Sequence, residues 1–442
     1  MQTFFEQEIN KAFGPTLPSK IVVNYLGKAD LRSCFGVSDF ATASIKSAAT
    51  ELAEFVNAEN VTIDRRLSSL WFGMTLKPES WELPSAWDAI AGVYKAKDGW
   101  IRLHTNAPHH KNAALHVLGC PEDKVAVSDA VKTWQKATLE AAIVAEHGAA
   151  ATMLSAKEWI SHPQGRAVNA EPLIHWTKKA EGAKPCSMSG LKVLDLTRVL
   201  AGPVATRFLA GFGAQVLRVD PPSWNEPGVE PEVTLGKRRA GLDLSKAQDR
   251  SSLDDLIRKA DVLVHGYRPG ALAGLGYDPE HLKALAPHMI EVSLSAYGWT
   301  GPWAKRRGFD SLVQMSCGIA AEGMHRLNAT RPVPLPVQAL DHATGYLMAA
   351  AVLRALRIRQ RTGAIFSARL SLARTAALLM APGSRNFRGS AVEETPQDLD
   401  DTPETTAWGV AKRIKFPVTI DGKTAQWPYP AGPLRVDSAS WS

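Results

Sequence analysis

Short apolar runs alternate with amphipathic stretches from residue 191 onwards. The runs predict buried strands at 191–196, 214–220, 240–244, 261–265 and 290–295. Helices are predicted between them at 202–211, 245–260 and 279–285. Strands that alternate with helices predict an α/β fold with a doubly wound, mostly parallel sheet. The ligand of such a sheet is expected outside the carboxyl ends of the strands.

A smaller α+β unit is predicted before this sheet. Residues 92–96 and 99–105 alternate like a hairpin, and helices are expected at 108–118, 127–147 and 155–161. Proline-rich and glycine-containing stretches at 78–88 and 181–190 indicate domain boundaries. The expected division is an N-terminal segment, a small α+β domain, a large domain, and a linker with a tail that packs back, at 1–77, 78–185, 186–380 and 381–442.

Two stretches of the chain resemble each other. In one, Asp341 precedes a helical run to about Arg361 and the strand-like 365–370; in the other, Asp39 precedes a helix to about Phe55 and the strand-like 60–64. This order predicts a degenerate internal repeat. Asp39 is then a second candidate carboxylate, for which a structural role is favoured.

Asp341 is the residue where chemistry is expected. A carboxylate just before a helix from Ala343 to Arg361 faces the unpaired backbone N–H groups of that helix. The alternative is that Asp341 only caps the helix, as aspartate commonly does.

Composition narrows the class of protein. The chain has 442 residues, of which 45% are hydrophobic and 21% charged, as in a soluble globular protein of two or three domains. No run of about 18 apolar residues and no leader pattern is present, so a cytoplasmic location and no membrane contact are expected. The four cysteines stand far apart, which indicates neither a disulfide framework nor a zinc site.

The charge and the histidines exclude two further classes. A net charge of +7 is spread along the chain, which argues against nucleic acid and suits a phosphate-bearing small molecule. The basic stretch 354–361 is expected to be a solvated helix surface. His104, His109, His110 and His116 lack acidic or cysteine partners at a matching spacing, so no metal site is predicted.

Six motifs then resemble one known family. They are VLDLTRVLAGP at 193–203, GKR at 236–238, YRPG at 267–270, YGWTGP at 297–302, RGFD at 307–310 and the stretch that contains Asp341. In this order they closely resemble the family III CoA-transferases, which include formyl-CoA and carnitine CoA-transferases and are related to α-methylacyl-CoA racemase. The resemblance implies a Rossmann-like large domain. Residues 37–180 resemble the back half of a family member and 190–377 the front half, so the fold is expected to be rearranged or partly duplicated.

The resemblance implies a reaction and the residues that perform it. Asp341 matches the catalytic aspartate, which forms an anhydride with the donor acyl group and then a thioester with CoA. Asp310 matches an acidic active-site position. Positions that contact CoA are matched by Ala201, Lys237, Tyr267 and Arg307. Acyl-CoA and a carboxylic acid are the implied substrates, with no tightly bound cofactor, and a homodimer is the implied assembly.

Some features depart from the family pattern and keep alternatives open. Leu200 replaces a glutamine of the formyl-CoA enzyme, and no counterpart of its glycine-rich lid is found. A racemase needs a base on each side of the α-carbon, but Phe309 stands where its pattern has histidine, and phenylalanine cannot carry a proton. A non-catalytic CoA-binding protein is the second alternative. No GxGxxG follows the first strand, which argues against a dinucleotide-dependent oxidoreductase.

Overall fold

The computed structural model describes residues 3–14, 20–182 and 186–441. Parts of the predicted N-terminal segment (1–2 and 15–19) and of the predicted boundary (183–185) lie outside the described residues. None of the helices in the described ranges combines the length and the apolar character needed to cross a membrane.

The strands are β1 (Val22–Leu26), β2 (Asn60–Asp64), β3 (Leu76–Pro78), β4 (Gly92–Ala96), β5 (Gly99–Leu103), β6 (Ala150–Thr152), β7 (His175–Ala180), β8 (Lys192–Leu196), β9 (Gln215–Asp220), β10 (Arg238–Gly241), β11 (Val262–His265), β12 (Ile290–Ser295), β13 (Ile365–Ser371), β14 (Glu404–Thr406), β15 (Gly409–Arg413), β16 (Val418–Ile420) and β17 (Lys423–Thr424).

The helices are α1 (Phe4–Ala12), α2 (Val37–Phe55), α3 (Arg65–Leu70), α4 (Pro108–Leu118), α5 (Lys124–Lys132), α6 (Lys136–Ala145), α7 (Ala156–Ser161), α8 (Pro163–Ala170), α9 (Ala201–Gly211), α10 (Glu230–Val233), α11 (Ala247–Lys259), α12 (Pro279–Leu285), α13 (Asp310–Ser316), α14 (Ile319–Arg326), α15 (Ala339–Thr362) and α16 (Leu372–Met380).

The largest sheet has seven strands in the order β10-β9-β8-β11-β12-β13-β7. Neighbours among the first six are parallel, and β7 pairs antiparallel with β13 at one edge. Helices α9 and α15 contribute to the apolar core on one face, and α11 and α12 to the core on the other. Strands β8 and β11 are therefore covered on both faces, which explains their nearly continuous apolar runs. The predicted α/β class with a mostly parallel sheet is confirmed.

The α+β unit contains the antiparallel sheet β4-β5-β6 and the helices α4, α5 and α6. Its own core includes Tyr94, Ile101, Val127, Leu139 and Ile143. The single helix predicted over 127–147 is wrong, because α5 and α6 are separated by a break. Asp98 accepts a hydrogen bond from the Lys136 backbone N–H (2.7 Å), and the Trp134 carbonyl accepts one from the Lys97 N–H (3.0 Å). The turn between β4 and β5 thus docks at the break.

The two helices that carry the repeated aspartates are entered in the same way. An inverse γ-turn centred on Gly36 (φ −76°, ψ 58°) precedes α2, and one centred on Gln338 (φ −76°, ψ 64°) precedes α15. Each helix leads to a strand with one parallel and one antiparallel neighbour: β2 lies between β1 and β16, and β13 between β12 and β7. These shared features are the ones that an internal repeat produces.

Helices α2 and α15 pack against each other in one core, which includes Phe40, Ile45, Leu347 and Leu353. The basic stretch 354–361 lies at this contact, so the expectation of a solvated surface is wrong for most of it. Arg357 is 3% exposed and forms ion pairs with Glu51 (2.6 Å) and Glu54 (2.9 Å) of α2. The expected division into four parts stays a prediction.

Candidate active site

Two buried aspartates meet where α13 and α15 begin. Asp341 lies in the first turn of α15 and is 7% exposed, and Asp310, the first residue of α13, is 1% exposed. Asp310 accepts backbone hydrogen bonds from Leu340 (2.8 Å) and from Asp341 (2.9 Å), and a third from the Gln314 side chain. A carboxylate suits the unpaired N–H groups of a helix start. Asp310 thereby fixes the position at which Asp341 stands.

The carboxylate of Asp341 has no such support. Among the described residues, no hydrogen-bond donor reaches its oxygens. Burial raises the pKa of Asp341 well above its ordinary value, and the charge of Asp310 raises it too. Burial also raises the pKa of Asp310 to about 6, although the donors from Gln314, Asp341 and Leu340 act in the opposite direction. The pair thus contains one carboxyl group held by donors and one that is poorly solvated, whose ionised form is a strong nucleophile.

The helix start differs from the one expected. The sequence predicted free N–H groups near Ala343 that face the Asp341 carboxylate, but α15 begins at Ala339 and its first N–H groups donate to Asp310. Gly345 lies inside the helix, where a Cβ atom would stand 2.4 Å from the Ala201 carbonyl oxygen. The expectation of oxyanion donors from this helix is therefore wrong. Gly345 serves the close approach of α9 to α15.

A cavity of about 830 Å³ opens beside Asp341. Leu196 and Ser295, the last residues of β8 and β12, line it, so it lies at the carboxyl ends of the strands, as predicted for a doubly wound sheet. We call it the large cavity. Three of the residues expected to contact CoA are part of its lining: Ala201, Tyr267 and Arg307.

The large cavity carries positive charge that the described residues leave unbalanced. Arg198, Arg268 and Arg307 line it, and none of the three has a carboxylate partner within the described ranges. Arg268 and Arg307 instead donate to the backbone carbonyls of Lys305 (2.7 Å) and His147 (3.0 Å). Burial and the neighbouring charge of Arg268 lower the pKa of Arg307. Such guanidinium groups are suited to bind phosphates.

Aromatic rings frame one of these arginines. The Arg198 guanidinium lies 5.1 Å from the ring centroid of Trp224 and 5.6 Å from that of Tyr267. Both distances are within the range of cation–π attraction. The large cavity therefore offers flat apolar surfaces next to cationic groups, which is the combination that a nucleotide requires.

A second cavity of about 280 Å³ also borders Asp341, and we call it the small cavity. Four residues line both cavities: Val199, Leu200, Phe309 and Asp341. The first half of the chain supplies much of the rest, including Phe72, Met74, Trp87 and His104. Asp341 therefore stands at the junction of the two cavities.

The histidines near this junction are neutral. The His104 ring stacks on Phe309 with centroids 3.7 Å apart, and His342 stacks on Phe72 at 5.1 Å. Burial lowers the pKa of His104 well below its ordinary value and that of His342 to about 3. The Nδ1 atoms of both rings lack hydrogen-bond partners within the described ranges. Nowhere in these ranges do three His, Cys, Asp or Glu side chains converge as a metal site requires.

The family model of CoA-transferase family III matches residues 188–408, which is half of the chain. This chain belongs to CoA-transferase family III.

Relatives of this family III chain are named as transferases. Acetyl-coenzyme A transferase nodX of Hypoxylon pulicicidum is 30% identical over 314 residues, 64% of this chain and 53% of that protein. The succinyl-CoA:glutarate CoA-transferase of Mus musculus is 33% identical over 207 residues, 42% of this chain and 46% of that one. A crystal structure of Rv3272 from Mycobacterium tuberculosis is 31% identical, with a TM-score of 0.39, over 45% of this chain and 58% of that one. The chain spans about half the length of the curated relatives it matches.

One of the residues expected to contact CoA in this family III chain lies elsewhere. Lys237 is fully buried, is absent from the lining of both cavities, and donates to Asp195 (2.9 Å) and to the Pro203 carbonyl (3.0 Å). Asp195 also accepts from the Thr197 backbone N–H at 2.9 Å. The structure therefore corrects the expected direct contact: Lys237 supports the loop after β8, which in turn lines the large cavity.

The repeated carboxylate Asp39 lies in a different environment. Its side chain is 40% exposed and forms an ion pair with Arg65 (2.5 Å), and it lines neither cavity. The family III chain therefore presents only Asp341, of these two, to a ligand-sized space.

Val199 is a site residue that the sequence did not reveal. Its φ of 66° places a β-branched residue in the left-handed region, at a typical cost of about 1–3 kcal/mol. Its N–H donates to Glu226 (2.8 Å), which holds this conformation at the junction of the cavities. Nothing in the local pattern signals it. The lining residues of the small cavity from 72–104 were missed as well, because no local pattern links them to Asp341.

Proposed function

We propose that this chain moves CoA from a donor acyl-CoA to an acceptor carboxylic acid. One observation carries the proposal: Asp341 is a buried carboxylate that no donor of the described residues reaches, at the junction of a ligand-sized cationic cavity and a second, smaller cavity. A carboxylate that is buried but poorly stabilised gains by forming a covalent bond, which is the requirement of nucleophilic catalysis.

The chemistry proceeds by two exchanges at Asp341. A carboxylate oxygen attacks the thioester carbonyl of the donor, and an aspartyl anhydride forms as CoA leaves as a thiolate. The thiolate then attacks the aspartyl carbonyl, which gives an aspartyl-CoA thioester and releases the donor acid. The acceptor carboxylate attacks this thioester and re-forms an anhydride and the thiolate. The thiolate finally takes the new acyl group, and Asp341 leaves as a free carboxylate. No step requires net uptake or release of a proton.

The large cavity supports binding of CoA as a substrate. The guanidinium groups of Arg198, Arg268 and Arg307 are suited to its phosphates, through charge-assisted hydrogen bonds. Tyr267 offers a ring face for the adenine, and Ala201 lies where backbone contacts to the pantetheine arm are expected from the family. Asp310 acts as a positioning residue, because it holds the first N–H groups of α15 and so orients the nucleophile.

The test is mass spectrometry of the protein after incubation with acyl-CoA, combined with exchange of labelled CoA between acids. We expect a CoA-sized adduct on a peptide that contains Asp341, and loss of both adduct and exchange in Asp341→Asn. The matched control is Asp39→Asn, which changes the corresponding residue of the other repeat and keeps both signals. Full exchange in Asp341→Asn contradicts the assignment of the nucleophile.

A racemase remains as a second candidate, on one observation. The His104 ring stacks on Phe309, the position where the racemase pattern has histidine, and it lines the small cavity beside Asp341. A neutral imidazole there is able to accept an α-proton. Incubation with a chiral 2-methylacyl-CoA in deuterated water distinguishes the two reactions. Deuterium incorporation that His104→Phe abolishes favours the racemase, and its absence favours the transferase. A non-catalytic CoA-binding protein is favoured if CoA binds but neither reaction occurs.

The homodimer and the cytoplasmic location expected from the sequence are part of the proposal. Sedimentation of the pure chain tests the first: a dimeric mass is expected, and a monomer contradicts it. Fractionation of cells that produce the protein tests the second.

A further inference from the structure

We propose that the small cavity binds the acyl group and selects one that carries no charge, so that the substrates are simple apolar acids and the ω-carboxylate of a dicarboxylic acid is rejected. This inference rests on the proposed function, since it assigns the acyl side of the same reaction. The relatives leave the choice open, because their names include both a probable fatty acyl-CoA transferase and succinyl-CoA:glutarate CoA-transferases.

The walls of the small cavity are largely apolar. The apolar and aromatic members of its lining are Phe72, Met74, Ala86, Trp87, Val199, Leu200, Val229, Phe309, Pro336 and Val337. They come from both halves of the chain and meet at Asp341, and the guanidinium groups of the large cavity are not among them. A thioester carbon placed at Asp341 therefore has CoA on one side and a hydrophobic space on the other.

The charges in this lining are all negative. Asp310 and Asp341 contribute carboxylates without a cation partner, the Glu232 carboxylate forms an ion pair with Arg207, and no lysine or arginine belongs to the lining as far as the described residues extend. His104 and His342 are neutral, because burial lowers the pKa of each. A second carboxylate on the acyl chain would leave water for a space with acidic neighbours and no cation. Like charges that face each other at short range are strongly disfavoured.

Two arginines that contact lining residues of the small cavity are directed elsewhere. Arg207 is buried and forms an ion pair with Glu232, so its charge is already balanced. Arg102 lies 4.6 Å from the ring centroid of Trp87 and is not part of the lining, although its positive charge counteracts the rise in the pKa of Asp310. Arg102 would have to rearrange to bring its guanidinium group into the lining of the small cavity.

The volume limits the size of the acyl group. A cavity of about 150 Å³ in a protein core binds benzene, so 280 Å³ holds roughly ten to twelve non-hydrogen atoms. Short and medium straight-chain acyl groups and small arylacyl groups are within this limit.

A matched pair of substrates tests the charge selection. Pentanoyl-CoA and glutaryl-CoA have the same chain length and differ only in a terminal methyl or carboxylate. We expect kcat/KM for CoA transfer from pentanoyl-CoA to exceed that from glutaryl-CoA by about 100-fold or more, the scale of an unpaired like charge in a closed site. Equal or better use of glutaryl-CoA overturns the inference and leaves the transferase function standing.

Two variants of one residue provide the control. Met74 lines the small cavity and is half-buried, so a longer charged side chain fits at its position. Met74→Arg is expected to reduce the preference for pentanoyl-CoA at least tenfold, whereas Met74→Glu preserves or increases it. The same shift in both variants contradicts selection by charge. If the wild type uses glutaryl-CoA and Arg102→Met abolishes that use, then Arg102 reaches the cavity. This outcome also overturns the inference.

Binding of the free acids distinguishes a failure of this inference from a failure of the proposed function. If neither thioester supports transfer, the function fails, and the pocket is then judged by thermal stabilisation of the wild type with free pentanoate or glutarate. Stabilisation by pentanoate alone, reversed in Met74→Arg, upholds the uncharged pocket. Equal stabilisation by both acids, or by neither, overturns it.

Discussion

Replacement of Asp341 by asparagine is expected to stabilise the fold while it abolishes transfer. Asp341 and Asp310 are both almost fully buried, and burial raises the pKa of each. A carboxyl whose pKa is higher in the folded than in the unfolded chain lowers stability at a pH above both values, because ionisation favours the unfolded state. The Asp341→Asn substitution removes one charge of this pair without a change in shape.

The raised pKa of Asp341 sets the direction of the effect. Each unit by which the pKa of a carboxyl in the folded chain exceeds its pKa in the unfolded chain costs about 1.4 kcal/mol once the pH lies above both values. A buried amide without partners offsets part of this gain, and we expect Asp341→Asn to stabilise the fold by about 1–2 kcal/mol, the usual size of a stabilising substitution. For 442 residues, an unfolding entropy of about 2 cal/mol/K per residue converts this gain to roughly 1–2 °C in Tm.

The pH dependence of the stability difference between the variant and the wild type gives the decisive measurement. The penalty grows as the pH rises above the unfolded pKa of 3.8 and is complete only above the raised pKa of Asp341 in the folded chain. Urea denaturation between pH 4 and 8 should therefore give a higher free energy of unfolding for the variant than for the wild type near pH 7. This difference should shrink towards pH 4. Asp39→Asn is the control, and loss of its exposed ion pair costs at most about 1 kcal/mol. An Asp341→Asn variant that is less stable than the wild type at pH 7, or whose gain is independent of pH, refutes the reasoning.

Three further predictions concern the surroundings of Asp341. Lys237→Met leaves Asp195 charged and unpaired in the core, and denaturation should show a loss of about 3–5 kcal/mol, whereas Arg238→Met at the more exposed neighbour has a small effect. Arg268→Ala or Arg307→Ala should weaken CoA binding about tenfold or more in calorimetry, with a smaller dependence of affinity on salt than in the wild type; unchanged affinity in both contradicts the phosphate assignment. Gly345→Ala should cost about 1–3 kcal/mol in denaturation and lower transfer, because its Cβ atom meets the Ala201 carbonyl oxygen; wild-type stability contradicts the close approach.

Local patterns predicted elements that have strong boundary signals. The strand at 290–295 and the helices at 108–118 and 279–285 have the predicted bounds. Both helices have proline as their first residue, and Gly119 in the left-handed region ends the first of them. The antiparallel strand β7 was not predicted, because its sequence HWTKKA alternates poorly at an exposed sheet edge.

The candidate site was predictable only in part. The motifs brought Ala201, Tyr267, Arg307, Asp310 and Asp341 to one region, since four of them line the large cavity and Asp310 accepts the first N–H groups of the helix that carries Asp341. The residues that line the small cavity could not be predicted from the sequence, because they depend on how the first half of the chain packs against the second. Lys237 was assigned to CoA because it matches a basic residue of the family pattern, although an aspartate between apolar residues of strand β8 was a signal that a buried cation is needed.

The two repeats show why the residue alone does not define the site. Asp39 and Asp341 occupy the same turn of corresponding helices, each entered by an inverse γ-turn. Asp39 is half-exposed and held by Arg65, whereas Asp341 is buried beside Asp310 with no cation of the described residues in contact. An arginine near a carboxylate stabilises its charge and lowers its tendency to attack a thioester. The same side chain at the same helix position is therefore suited to a structural role in one copy and to catalysis in the other. The two copies differ in the groups that surround this side chain.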